Sequence, residues 1–310
     1  VILFFLLGLL ASALRSDLAI PEAIAKGMSL YLMAAIGLKG GVAVAKSGVN
    51  AEVASALLAG LALSFAIPIL AYAALRSFGR LDQINAGAVA AHYGSVSVVT
   101  FVTANELLGA SGLVVAGFMV AVLAVMETPA ILSGLMLARR GTTSDGQSKG
   151  ELLREVFLNA SVVLLLGSFA IGLIAGPKGY AEVQPLFESG FKGVLCLFLL
   201  DMGLIAARRL IDARALNLRL AMLAIAFPVV NGTLGVVVGN LIDLDTATAA
   251  AMGVLCASAS YIAVPAAMRL ALPQADPGIY LTMSLSITFP FNILIGISLF
   301  GEMSRWLGAS

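Results

Sequence analysis

The 310-residue chain carries 18 Lys and Arg against 17 Asp and Glu, a net charge of +1; 60% of its residues are hydrophobic and only 11% are charged. Soluble domains carry about 25% charged residues, because a water-facing surface must be coated with them. This shortage excludes a soluble enzyme, a nucleic-acid binder and a disordered chain, and leaves a protein that crosses a membrane several times.

A membrane helix needs about 20 mostly apolar residues, and ten segments qualify in chain order. They are too long for barrel strands and do not alternate, so an all-α membrane protein with ten transmembrane helices is expected. The first, 1–14, starts inside an apolar run and reads as the remainder of a trimmed helix rather than a signal peptide. Segments 21–45 and 50–76 follow, the second holding Gly37, Lys39 and Gly41 and the third Pro68. Segment 83–108 contains His92-Tyr93-Gly94-Ser95-Val96-Ser97 and Thr100, and segment 112–138 contains Met126-Glu127-Thr128-Pro129. The long polar stretch after Ala138 reads as a linker, 139–152.

Beyond it come 153–175, 186–207 with Asp201, and 214–241 with Pro228 and Asn231. Segment 246–271 holds Ser258-Ala259-Ser260-Tyr261, and 278–307 holds Thr288, Pro290 and Asn292. The spaced pairs Gly37/Gly41, Gly172/Gly176 and Gly235/Gly239 read as close helix-packing sites. Cys196 and Cys256 lie in apolar runs and the chain has one histidine, so no transition-metal centre and no cofactor is expected.

The halves are related. Asp82, Ser95 and Ser97 meet Asp245, Ser258 and Ser260 at a constant offset of 163 residues, and Pro21/Pro185, Gly37/Gly203 and Pro68/Pro228 fall within a few residues of it. Five segments per half, an odd number, predict two inverted five-helix repeats, 1–138 and 153–310, with discontinuous helices four and nine. Basic residues sort to one side. Arg15, Arg76, Arg80, Arg139, Arg140, Lys149, Arg154, Arg208, Arg209, Arg214, Arg219 and Arg269 face Lys39, Lys46, Lys178, Lys192 and Arg305. The rule that basic loops stay inside puts 139–152 in the cytoplasm and both termini outside the inner membrane.

The two small, hydroxyl-rich stretches at matching places are the expected pointer to a transporter site. A helix broken there presents unpaired N–H groups and a positive dipole end. Gly94, Ser95, Val96 and Ser97, with Ser258, Ala259 and Ser260, are therefore the candidate anion-binding residues. Carbonyls of the breaks with Thr100, Glu127, Thr128, Thr288 and Asn292 are candidate sodium ligands, and His92 and Asp201 are candidate proton or gating groups. Lys39 is expected to snorkel.

The ten segments, Ile36-Gly37-Leu38-Lys39-Gly40-Gly41, the Gly94-Ser95 break, Met126-Glu127-Thr128-Pro129-Ala130, Pro228 followed by Gly232, and the Ser258–Pro265 stretch resemble the sodium-dependent bicarbonate transporters of the SbtA type along essentially the whole chain. The resemblance implies Na+-coupled import of bicarbonate, a homotrimer, extracellular termini, and a site where helices four and nine break. Tyr261 and His92 depart from cyanobacterial members, which have an acidic and a neutral residue there, and Glu127 stands where they have aspartate. The short central loop argues against a PII-like regulator. A bacterial relative taking bicarbonate or a similar small monoanion is the leading reading. A proton-coupled or exchange transporter of a small organic anion is the alternative within the class. An anion-binding sensor or intramembrane enzyme is the alternative outside it.

Overall fold

A computed structural model of the chain describes residues 1–48, 50–140, 160–211 and 216–308, and all regular structure among them is helical. In order these are α1 (Ile2–Ala13), α2 (Glu22–Ser47), α3 (Ala51–Ser77), α4 (Gln83–Gly94), α5 (Val98–Ala110), α6 (Met119–Ala138), α7 (Ala160–Gln184), α8 (Phe191–Ile211), α9 (Leu218–Leu241), α10 (Thr246–Ala257), α11 (Ala263–Ala271) and α12 (Pro277–Gly308). Linker positions 141–152, the start of the sixth expected segment at 153–159, and Lys149, Arg154 and Arg214 lie outside the described residues.

Seven stretches among the described residues are long and apolar enough to cross a membrane: α2, α3, α4 with α5, α6, most of α7 with the turn after it, α9, and α12. The protein is therefore an all-helical, multi-pass membrane protein. The other three expected segments fall short for identifiable reasons. α1 and α10 are apolar but only 12 residues each, α10 because the chain turns extended at Ser258. α8 carries Lys192, Asp201, Arg208 and Arg209 in 21 residues.

Small residues set which helices meet. A Cβ on Gly41 would stand 2.0 Å from the Phe169 carbonyl oxygen, and one on Gly172 2.3 Å from that of Leu38, so α2 and α7 run in backbone contact. Gly8 and Gly203 do the same for α1 and α8, and Gly235 and Gly239 for α9 and α10. Gly176 differs from its expected packing role: a Cβ there meets nothing within 4 Å, and its φ of 59° kinks α7 just before Pro177. By packing, α1, α2, α7 and α8 form one group, and α3 to α6 with α9 to α12 form a second. The groups touch where α8 meets the Thr282–Thr288 turns of α12, where α7 meets α6 and where α2 meets α5 and α6.

The second group holds the breaks. α4 starts on an Asp82 cap whose Oδ1 accepts the N–H groups of Ile84 and Asn85, and α10 starts on Asp245, which accepts those of Ala247 and Thr248. α3 and α9 begin alike, Asn50 accepting from Val53 and Asn217 from Leu220. α4 and α10 are each 12 residues and each ends in an extended serine, Ser95 and Ser258. Pro68 and Pro228 stay inside α3 and α9, and Pro68 packs against Gly94, where no side chain would fit.

Candidate functional site

Two non-helical segments cross within the second group: Ser95–Ser97 between α4 and α5, and Ser258–Ile262 between α10 and α11. Each lends the other what its interrupted helix lacks. The Ser97 N–H donates to Ser258 Oγ at 3.0 Å, and the Ser260 N–H donates to the His92 carbonyl at 2.9 Å. Ser258 Oγ in turn donates to the Leu255 carbonyl at 2.8 Å, so its one hydrogen is taken within the crossing. Gly94 and Ala259 are buried in the same crossing.

A small cavity lies beside it, lined by Val96, Ser97 and Val98 from the first break, Ser260 to Ala263 from the second, Glu127 of α6 and Met33 of α2. Val98 and Ala263 are the first residues of α5 and α11, so both half-helices direct their N-termini at it. Ser97 Oγ accepts the Thr100 N–H at 3.2 Å and Ser260 Oγ that of Val264 at 3.4 Å. The Tyr261 hydroxyl is buried beside the Ser97 side chain, its ring held edge-on to Phe289 at 5.1 Å. Facing these donors, Glu127 is 2% exposed and its Oε2 has no hydrogen-bond partner. A buried carboxylate without a donor is costly, so it calls for a cation or a proton.

The cavity measures about 10 Å³, room for a single water-sized centre. A four-heavy-atom anion requires it to widen. Met33 is the only lining residue from the first helical group, so widening falls at the boundary between the two groups.

The sequence candidates divide on this geometry. Val96, Ser97, Ser260 and Glu127 line the cavity; Ser95, buried with an unpartnered Oγ, sits in the crossing behind it. Thr100 and Thr128 are buried but outside the lining. Thr288 has another task. Pro228 has no N–H, which leaves the Ala224 carbonyl without its helical donor, and Thr288 Oγ1 donates to that carbonyl at 2.6 Å while lying 2.6 Å from the Tyr93 hydroxyl. Asn292 Nδ2 donates to the Ala257 carbonyl at the end of α10, leaving its Oδ1 unpartnered.

His92 lends its carbonyl to the crossing, but its ring turns away. Nδ1 donates to the Ala88 carbonyl at 2.7 Å, the ring stacks on Tyr280 at 4.5 Å, and Nε2 is unpartnered. Asp201 is buried on α8, outside the cavity. Met33, Ile262 and Ala263 were not legible as site residues, being apolar residues in apolar runs. Tyr261 carried a signal, as a phenol beside the serine pair. Among the described residues no group of three His, Cys, Asp or Glu is placed to hold a metal ion.

No curated protein matches the chain. A family model for the Na+-dependent bicarbonate transporter superfamily matches residues 1–305.

Proposed function

We propose that this chain, which belongs to the Na+-dependent bicarbonate transporter superfamily, is a secondary transporter that couples Na+ entry to import of bicarbonate or a similar small monoanion. The family is one of transporters, so the reading as an intramembrane enzyme falls. The observation that carries the proposal is the cavity itself: two half-helix N-termini and the Ser97, Ser260 and Tyr261 hydroxyls converge on it, with no lysine or arginine in its lining. These donors suit an anion without a buried cationic side chain. Glu127, with the Ser97 and Ser260 oxygens, supplies oxygen ligands for Na+ beside it, and each ion's charge offsets the other's.

The ten-span reading with two inverted five-helix repeats belongs to this proposal, with termini outside and the linker in the cytoplasm of a bacterial inner membrane. The matched Asp82/Asp245 and Asn50/Asn217 caps, the equal lengths of α4 and α10, and the reciprocal pairing of α1 with α8 and α2 with α7 support it. Alternating access is then movement of the α1, α2, α7, α8 group against the other. The exposed apolar faces of α1, α3 and α7 meet lipid and, in the homotrimer the reading includes, other copies of the chain.

Ligand-induced thermal stabilisation of the purified protein tests the coupling. Bicarbonate is expected to raise the melting temperature in Na+ and not in K+; equal shifts in both would remove the Na+ coupling. A proton-coupled reading rests on the unpartnered Glu127 Oε2 and His92 Nε2. Changed pH dependence of transport in His92→Gln would favour it, and an unchanged profile would remove His92 from it.

A further inference from the structure

A second cavity, of about 290 Å³, lies between α2, α5, α6 and the start of α8, and its lining includes Lys39, Asn105, Glu106 and Gly109. Its lining holds one cation, Lys39, and one carboxylate, Glu106. Glu106 is held at 3.1 Å by Lys192, while the Lys39 ammonium lies 4.7 Å over the Phe191 ring, feels Glu188 and Glu106 through space, and has no carboxylate within ion-pair distance among the described residues. The Lys39 ammonium is therefore a cation in the cavity wall that is not tied into a close ion pair. Asn105 Oδ1, also in the lining, is buried and unpartnered.

Its position connects it to the anion site. Met33 and Val98 line the small cavity, while Ile36 and Val102, one helical turn along α2 and α5, line the larger one. Helical rise separates Met33 from Lys39 by about 9 Å. The two cavities are stacked along one α2–α5 groove, and the barrier between them is one turn of side chains, Met33, Ile36, Val98 and Val102, all buried and apolar. Such a constriction stops ions by excluding water. The larger cavity sits at the end of α5 that the proposed orientation places outside.

We propose that this cavity is the external vestibule of the transport path, and that Lys39 draws the small anion into it before the anion passes the Met33–Val102 constriction. The proposal rests on the anion-transporter reading, so its test reads charge and sidedness without substrate. Gly109 lines the vestibule, and a Cβ added there meets nothing within 4 Å, which makes Gly109→Cys a tolerated probe once Cys196→Ser and Cys256→Ala remove the native thiols. Impermeant methanethiosulfonates, one a sulfonate and one a quaternary ammonium, are applied to intact cells. The cysteine is expected to react from outside and to favour the anionic reagent, and Lys39→Gln is expected to lower the anionic-to-cationic rate ratio about tenfold, as for a unit charge acting across several ångströms at intermediate dielectric. Lys39→Arg should keep the ratio.

Reaction only after the cells are opened would overturn the external assignment, and an unchanged ratio in Lys39→Gln would overturn the role of Lys39. If the thiol-free protein does not assemble, uptake by Lys39→Gln and Lys39→Arg in the native background decides. A KM raised about fivefold in Gln only, with maximal rate kept, supports the proposal, and equal KM values contradict it. Expected labelling in a protein that does not move bicarbonate would leave the vestibule standing and remove only the substrate.

Discussion

Ser97 and Ser260 stand in corresponding places of the two breaks, each lining the cavity and each accepting an N–H from the helix that follows. A hydrogen bond to a charged group is worth about 1.5–3 kcal/mol, so Ser97→Ala and Ser260→Ala should each weaken bicarbonate affinity by roughly tenfold or more. Ser258→Ala removes the hydroxyl that anchors the Ser97 N–H and should lower thermal stability as well as transport. Binding and melting curves on the three variants separate these outcomes, and wild-type stability in Ser258→Ala would contradict its anchoring role. Glu127→Gln should leave a folded protein whose uptake no longer responds to Na+; a preserved Na+ titration would remove Glu127 as an ion ligand. The serines and Glu127 were legible because hydroxyl pairs at a repeat offset and a charge at membrane depth are both unusual. Met33 was not legible, since nothing separates it from other apolar residues of α2 until α5 is placed against it. Thr288 looked like a ligand because its neighbour Pro290 marks an irregular helix, yet its hydroxyl repairs the gap left by Pro228, a residue 60 positions away.

At the scale of elements, the helices are set by caps and by small residues. Burial pushes the Asp82 carboxyl up, but the Asn85 side chain and the N–H groups of Asn85 and Ile84 outweigh it and hold the carboxyl below its ordinary range. A carboxyl depressed in the folded state stabilises above its unfolded value, near 3.9, and that contribution is lost as pH falls through the lower folded value. Asp82→Ala should therefore destabilise by about 1 kcal/mol at neutral pH, the usual worth of such a cap, with the difference from wild type shrinking below about pH 4. A constant difference in melting temperature down to pH 3 would contradict this. Gly41→Val should separate α2 from α7 and abolish stable expression, since even a Cβ would meet the Phe169 carbonyl at 2.0 Å. Gly27→Ala, where a Cβ meets nothing within 4 Å, should be neutral. Positions of most helices were readable from apolar runs between polar punctuation. The breaks at Ser95 and Ser258 were readable from their glycine, serine and proline content. The kink at Gly176 was misread as packing because spacing alone cannot say whether a glycine meets a neighbour or bends its own helix.

At the scale of the whole molecule, the scarcity of charge acquires a mechanistic meaning. The cavity at the crossing has no basic side chain, and Lys39 lies about two helical turns away in the vestibule. One charge to attract the anion and neutral donors to hold it would keep binding weak enough for release. Because the small cavity must widen at the boundary between the two helical groups, fixing that boundary should stop transport. A Met33→Cys, Val98→Cys pair should lose uptake under oxidising conditions and regain it on reduction; full activity with the crosslink formed would mean the groups do not move apart there. The grouping itself was hidden from the sequence, because which helices share a body depends on contacts such as Gly8 with Gly203, nearly 200 residues apart.

The most direct test is accumulation of labelled bicarbonate in proteoliposomes at alkaline pH, where bicarbonate predominates over carbon dioxide. With an inward Na+ gradient the internal concentration should exceed the external one, and it should not do so when K+ replaces Na+ or when Glu127 is changed to Gln. Equal accumulation in Na+ and K+, or no uptake in either by a folded protein, would contradict Na+-driven bicarbonate import.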